Sequence, residues 1–192
     1  MQPNFEDQTG EYISNFCKIL EKHTSKWSSL LKESAKPLRA LINYCEQLRH
    51  VEQANIKYID NFEELKEKLL FKISEGIEEE IILIKNIINQ LNLSNQEIKN
   101  KLHILEKSTI NLDWEEKSDL LKGTAFQPPL TRILQEGLDF VNYFSDNYKL
   151  INEHFKKLDP RNEESIKRFE SALQVELKNK IVIDFLALVQ YI

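Results

Sequence analysis

Residues 77–105 read IEEEIILIKNIINQLNLSNQEIKNKLHIL, and this stretch decides the fold. Its apolar residues recur at steps of three and four, the spacing of one face of an α-helix. Asn95 takes the one polar position on this seam, where a polar residue often fixes register and partner choice. Residues 94–97 also have the pattern of a capping box, so a break after Asn92 is the alternative. The unbroken phase of the seam favours one helix. The seam residues are Ile77, Ile81, Ile84, Ile88, Leu91, Ile98, Leu102 and Leu105.

A second stripe of this kind precedes it, from Ile13 to Leu48, and is close to a coiled-coil seam. Pro37 interrupts it, because proline lacks a backbone donor and clashes with the preceding helical turn. The helix either kinks at Pro37 or stops near Glu33 and restarts. Since the stripe keeps its phase across the proline, we expect a kink or a very tight break.

Local signals set the remaining boundaries. Asp60 is expected to cap the second helix, with Glu63 as its capping-box partner, and Asp159 to cap the last, with Pro160 in its first turn. The sequence therefore predicts an all-α protein, an elongated antiparallel bundle of about four long helices with the first kinked near Pro37. We expect a single domain over 1–192, with helices at about 5–54, 61–107, 129–158 and 160–190 and a loop at 108–128.

Composition limits the function classes. The chain has 192 residues and a formal charge of −5, with acids and bases interspersed. Direct binding of DNA or RNA is not expected, because it usually needs a clustered basic footprint. No apolar stretch reaches the ~18 residues of a membrane span, and the polar, acidic N-terminus does not have the pattern of a signal peptide. The two cysteines, Cys17 and Cys45, indicate a reducing compartment.

Motifs that carry chemistry are missing from the sequence. Four scattered glycines cannot form a phosphate-binding loop. None of the four histidines has a glutamate three residues before it, as a di-iron site in a helical bundle would need. We therefore expect no catalytic, cofactor-binding or metal-binding residues, and no enzyme activity.

Two stretches, Ile81–Ile88 and Ile181–Ile192, are apolar around most of a helix, which indicates burial on several sides or contact with another protein. Trp27 lies on the core stripe and is expected to be buried, whereas Trp114 lies in the loop. The acidic run Glu78–Glu80 is interpreted as a solvated face near a helix start, with a basic partner as the alternative. The predicted partner contacts are Ile82, Leu83, Trp114, Ile181, Ile183, Leu186 and Val189.

Particular residues give the chain a family resemblance. Trp27, Leu31, Leu41, Asn43 and the run Glu46-Gln47-Leu48 resemble the N-terminal helix of the ribosome maturation factor AIRIM family. The segment Phe62-x-x-Leu65-Lys66-Glu67-x-Leu69 is similar to the start of that family's second helical region. The later order of helices, including Tyr148-Lys149 and a hydrophobic C-terminus, is also similar.

This resemblance implies a non-catalytic adaptor of an AAA ATPase that acts on the pre-ribosomal large subunit. It further implies a hetero-oligomer with a second small helical subunit similar to the kinase-interacting protein CINP, whose family has a similar helical plan and is the second choice for this chain. Nucleus and cytoplasm are the implied locations. Two rival hypotheses are a coiled-coil structural or tethering protein, and an enzyme with a metal or a carboxylate pair in the bundle core.

Overall fold

A computed structural model of the chain describes residues 5–55, 61–115 and 118–192. Within these ranges the protein forms six α-helices and one 3₁₀ turn, and no strand. The prediction of an all-α fold is therefore confirmed. The elements are α1 (Phe5–Gln53), α2 (Phe62–Ser108), a 3₁₀ turn (Thr109–Asn111), α3 (Asp119–Lys122), α4 (Leu130–Lys156), α5 (Glu163–Ala172) and α6 (Lys180–Val189).

The residues group into two compact units. The first unit contains 1–28, 91–147 and 176–192, and the second contains 29–90 and 148–175. Neither unit is one continuous segment, because α1, α2 and α4 each contribute residues to both. The expectation of a single domain stays a prediction.

The first unit is organised around α1 and α4. Trp27 packs against Phe144 with ring centroids 5.0 Å apart, and a Cβ built on Gly137 would lie 3.0 Å from the Phe16 ring and 3.4 Å from the Phe185 ring. These pairings place α1 and α4 in the same direction. Glycine at 137 thus allows a close approach of neighbouring helices.

In the second unit, α1 and α2 run in opposite directions. Tyr44 lies against Gly76, while the Lys66 Nζ donates to the carbonyl oxygens of Glu52 at 3.0 Å and Ala54 at 2.8 Å. These two carbonyls lie at the end of α1, where backbone acceptors lack helical partners. A lysine from the start of α2 satisfies them.

Helix α1 continues through Pro37 for 49 residues, so the alternative of a stop near Glu33 is wrong. Pro37 is buried on the stripe. Because its ring carries no N–H, one backbone hydrogen bond is lost there without ending the helix. The expected kink stays a prediction.

Helix α2 is also continuous, so the alternative of a break after Asn92 is wrong. Its first residue, Phe62, follows Asn61, which has a φ of 63° and accepts from the Leu65 N–H at 3.1 Å. Asparagine tolerates this left-handed conformation better than most residues do. The predicted cap, Asp60, lies outside the described residues.

The single last helix at 160–190 is wrong, because two helices, α5 and α6, occupy this range. Asn162, rather than Asp159, caps α5: its Oδ1 accepts from the Glu164 and Ser165 N–H groups at 3.0 and 3.2 Å. Asn179 caps α6 by accepting from the Ile181 N–H at 3.0 Å. Between the two helices, the Tyr143 hydroxyl donates to the Glu176 carbonyl at 2.7 Å, so side chains satisfy backbone groups that a continuous helix would pair.

Candidate functional site

A buried polar cluster joins three helices in the first unit. The Trp27 Nε1 donates to the Asn95 Oδ1 at 3.1 Å, and the Asn95 Nδ2 donates to the Phe144 carbonyl at 3.1 Å. Trp27 and Asn95 are both buried, which confirms the core positions predicted for them. Since each buried polar group needs a partner, the cluster favours one register of α1 against α2 and α4.

His23 forms the second part of this cluster. Its Nδ1 lies 2.8 Å from the Ser94 Oγ, and its ring meets Phe144 edge-on at 4.5 Å. Burial lowers the pKa of His23 to about 4; a hydrogen bond with the Ser94 backbone opposes this shift, and the charge of Lys26 adds to it. The imidazole is therefore neutral at pH 7. Its Nε2 has no hydrogen-bond partner among the described residues.

This cluster has the character of a structural core. The cavity beside His23 measures about 10 Å³ and has room for about one water molecule. Its lining adds an acid, two lysines and apolar groups, and Ser94 is the one hydroxyl among them. The lining residues are Ile19, Lys22, His23, Lys26, Ser94, Glu97 and Ile98.

The two cysteine thiols are buried and are not in their reactive form. Cys17 and Cys45 are free and buried, and burial raises their pKa values to about 12 and about 11. Both thiols are protonated at neutral pH, whereas the thiolate is the reactive form. In the described part of the chain, no group of three or more His, Cys, Asp or Glu side chains is placed to hold a metal ion.

The predicted contacts on α2 are accessible. Ile82 is 58% exposed and Leu83 is 50% exposed, both in the second unit. The sequence missed Phe71, which is 62% exposed on the same helix. The eleven-residue spacing of Phe71 and Ile82, about three helical turns, is the signal that could have found it. Leu65 and Leu69, two residues of the family resemblance, are also exposed, whereas the nearby Ile73 is buried.

The C-terminal helix α6 is one-sided. Ile181 and Ile183 are exposed, Leu186 is half-buried, and Val189 is buried at 6% exposure. The core of the first unit covers Val189, so its prediction as an accessible contact is wrong. The apolar run lets α6 bury one face through Val182, Phe185 and Val189 and leaves the other outside.

One face of α6 borders a groove of about 240 Å³ in the first unit. Ile181 and Asp184 line it from α6, opposite three charged residues of α4. Within α4, the Arg132 Nε donates to Glu136 at 2.7 Å. The α4 lining residues are Arg132, Glu136 and Asp139.

The predicted loop at 108–128 holds the 3₁₀ turn and the short helix α3. Leu112 is buried and anchors the loop to the first unit, but Trp114 is half-exposed. Ile110 and Phe126 are also exposed. Trp114 therefore stays accessible, as its prediction as a contact requires.

The acidic run Glu78–Glu80 lies in the middle of α2, far from its start at Phe62. Favourable interaction with the helix dipole is confined to the first turn, so the interpretation as acids near a helix start is wrong. Glu78 and Glu79 are exposed. Among the residues that the structure describes, neither forms an ion pair, while the neighbouring Glu75 pairs with Lys72 at 2.7 Å.

None of the described helices combines the length and the apolar character that a bilayer crossing requires.

A family model described as "Ribosome biogenesis protein C1orf109-like" matches residues 7–191. AIRIM is another name for C1orf109, so the match agrees with the resemblance seen in the sequence. No curated protein matches the chain significantly. Because the matched range covers nearly the whole sequence, the chain belongs to the C1orf109-like family of ribosome biogenesis proteins.

Proposed function

We propose that the chain is a non-catalytic adaptor that binds an AAA ATPase complex during maturation of the large ribosomal subunit. The family gives the process, ribosome biogenesis. The observation that carries the adaptor role is the set of large apolar side chains that the folded chain leaves exposed on the part of α2 that belongs to the second unit. They are Leu65, Leu69, Phe71, Ile82 and Leu83.

These exposed apolar side chains lie close to one another along α2. Single exposed apolar residues are ordinary on protein surfaces, but here five lie within about five turns of one helix. Burial of a Leu, Ile or Phe side chain contributes about 1.5–3 kcal/mol relative to exposure. Leu65, Leu69 and Leu83 lie on one side of α2, and Phe71 and Ile82 lie on another. A protein partner that covers one of these sides would gain that contribution two or three times.

The proposed partners are the ATPase, a second small helical subunit similar to CINP, and the pre-ribosomal particle. The hetero-oligomer would work in the nucleus and the cytoplasm. Exposed contacts on α6 and in the loop support more than one partner, because they lie on separate elements. These contacts are Trp114, Ile181 and Ile183, with the half-buried Leu186 beside them.

Affinity purification from the native organism tests the proposal. We expect the tagged chain to recover an AAA ATPase and pre-ribosomal proteins of the large subunit. An Ile82→Asp/Leu83→Asp variant should lose partners, while Leu138→Asp, a change at an exposed leucine outside the predicted contacts, should retain them. Recovery of neither an ATPase nor any pre-ribosomal protein by the unaltered chain would contradict the adaptor role.

A further inference from the structure

One face of α2 in the second unit combines apolar and acidic side chains in a regular order. We name it the α2 outer face. Phe71 and Ile82 lie about three turns apart, so their side chains project within about 20° of each other and about 16 Å apart along the axis. The α2 outer face consists of Phe71, Glu75, Glu78, Glu79, Ile82 and Leu83, all of which are exposed.

The core does not use this face. Ile73, Ile77 and Ile84 are buried on the opposite side of α2. The apolar residues of the α2 outer face therefore add nothing to the core of the second unit. They stand as two anchors, Phe71 at one end and Ile82 with Leu83 at the other.

The acids between the anchors are unfavourable within the chain itself. Glu75 and Glu79 are four residues apart, and like charges at that spacing destabilise a helix by about 0.2–0.5 kcal/mol. Lys72 already pairs with Glu75. Within the described ranges, Glu78 and Glu79 form no ion pair, although Glu79 lies near enough to help raise the pKa of the exposed Lys72. Lys72 is the one cation against four acids between Phe71 and Leu83, so the acids are in excess on this stretch of the surface.

A second copy of the chain fits this face poorly. A two-fold interface would set the same patch against itself, and Glu75, Glu78 and Glu79 of one copy would meet the same three acids of the other. Like-charge contacts of this kind cost several kcal/mol in an interface. The acids likewise disfavour a nucleic acid, whose backbone is negative.

We propose that the α2 outer face binds an α-helix of a partner protein that carries two apolar side chains about three turns apart, with lysine or arginine between them. The partner's apolar residues contact Phe71 and the Ile82–Leu83 pair, and its cations pair with Glu78 and Glu79 and compete with Lys72 for Glu75. A helix fits because it repeats side chains at the same axial spacing as α2. The inference rests on the proposed adaptor function, and it specifies the chemistry of one partner.

Titration with designed peptides tests the proposal on the full chain. The probe is a fluorescently labelled, stapled helical peptide with leucines eleven residues apart and lysines on the same face between them. Its counterpart has glutamate in place of lysine. We expect saturable binding of the lysine peptide that weakens as salt rises, and no binding of the glutamate peptide. Equal affinity for both, or no saturable binding of the lysine peptide, would overturn the proposal.

Charge variants locate the binding. Glu75→Gln/Glu78→Gln/Glu79→Gln should weaken binding of the lysine peptide about tenfold, since each exposed ion pair contributes up to about 1 kcal/mol. Phe71→Ala should also weaken it. The matched control, Glu11→Gln/Glu21→Gln/Glu46→Gln, removes the same charge from exposed positions of α1 and should leave affinity unchanged. An equal loss in both triple variants would indicate a long-range charge effect and would overturn the assignment to this face.

Purification from cells separates this inference from the proposed function. Loss of a protein with a basic amphipathic helix from the α2 triple variant, but not from the α1 control, supports the docking face. Equal recovery by both variants overturns it and leaves the adaptor role intact. If the unaltered chain recovers no ATPase and no pre-ribosomal protein, the adaptor role fails, and the peptide titration alone decides about the face.

Discussion

At the scale of single residues, His23 makes stability depend on pH. Its pKa is lowered from 6.5 to about 4 in the folded protein, so between these values the unfolded chain binds a proton that the folded protein does not. The contribution to stability is fully present above about pH 6.5 and is lost as the pH falls toward 4. Its size is on the order of 3 kcal/mol.

Chemical denaturation between pH 7 and pH 4 measures this effect. The free energy of unfolding of the unaltered chain should fall more steeply toward acid than that of His23→Gln, which cannot titrate there. The control, His50→Gln, replaces an exposed histidine and should keep the steep dependence. Parallel curves for the unaltered chain and His23→Gln would refute the role of burial.

Alanine substitution at two helical glycines should change the stability of the protein in opposite directions. A Cβ at Gly76 would lie 2.6–2.8 Å from the Tyr44 ring, whereas one at Gly10 would meet nothing within 4 Å. Gly76→Ala should destabilise the protein by about 1–3 kcal/mol through overpacking. Gly10→Ala should stabilise it by up to about 1 kcal/mol through helix propensity. Thermal unfolding of both variants tests the pair, and stabilisation by Gly76→Ala would contradict the contact with Tyr44.

At the scale of elements, Asn95 joins α1, α2 and α4. Asn95→Leu leaves the buried Trp27 N–H without an acceptor and should cost about 1–3 kcal/mol. In a Trp27→Phe background the same change should cost less, because no donor is left to satisfy. A double-mutant cycle measured by denaturation gives the coupling. Asn100→Leu, an exposed position of α2, serves as the control, and a coupling of zero would show that the hydrogen bond contributes nothing.

The ends of the two longest helices could be predicted from the sequence. Long runs of apolar residues at unbroken helical spacing predicted the ends of α1 and α2 to within a residue or two, because helical spacing is a local property of the chain. The prediction of a single last helix was wrong because the preference of Asp159 and Pro160 for a helix start is weak, and the packing of the folded chain overrode it. Asn162 and Asn179 had the same capping chemistry, and only the packed structure selected them.

At the scale of the whole molecule, burial of the α1 seam bears on the coiled-coil rival. Within the described chain, the seam side chains that motivated it are already covered by other parts of the same chain. They include Ile13, Phe16, Leu20, Trp27, Leu30, Leu41, Cys45 and Leu48. A homodimer formed through this seam would have to expose the core.

Light scattering on the purified chain tests this. We expect the mass of one chain, 22.7 kDa, or a poorly behaved sample that a helical partner protein converts into a defined hetero-oligomer. A stable homodimer would favour the tethering hypothesis instead. Ile13→Asp, at a buried seam position, should unfold the monomer rather than merely separate two copies, and circular dichroism distinguishes the two results.

For the predicted partner contacts, the sequence identifies the apolar residues and the structure decides which of them are exposed. An apolar run such as Ile181–Ile192 identifies a helix with more apolar surface than one seam needs, but it does not say which side is covered. The structure covers Val189 and leaves Ile181 and Ile183 outside. Phe71 was missed because its spacing of eleven residues from Ile82 is not one of the three- and four-residue steps by which a stripe is recognised.

The sequence alone determined the helical class, the two longest helices and the core positions of Trp27 and Asn95, because these depend on the spacing of apolar residues along one chain. The tertiary structure decided which faces are covered, since burial depends on what the other helices bring to each face. It leaves Glu78 and Glu79 exposed in the middle of α2. For the same reason, only the folded chain distinguishes an apolar residue of the core from one that is open to a partner.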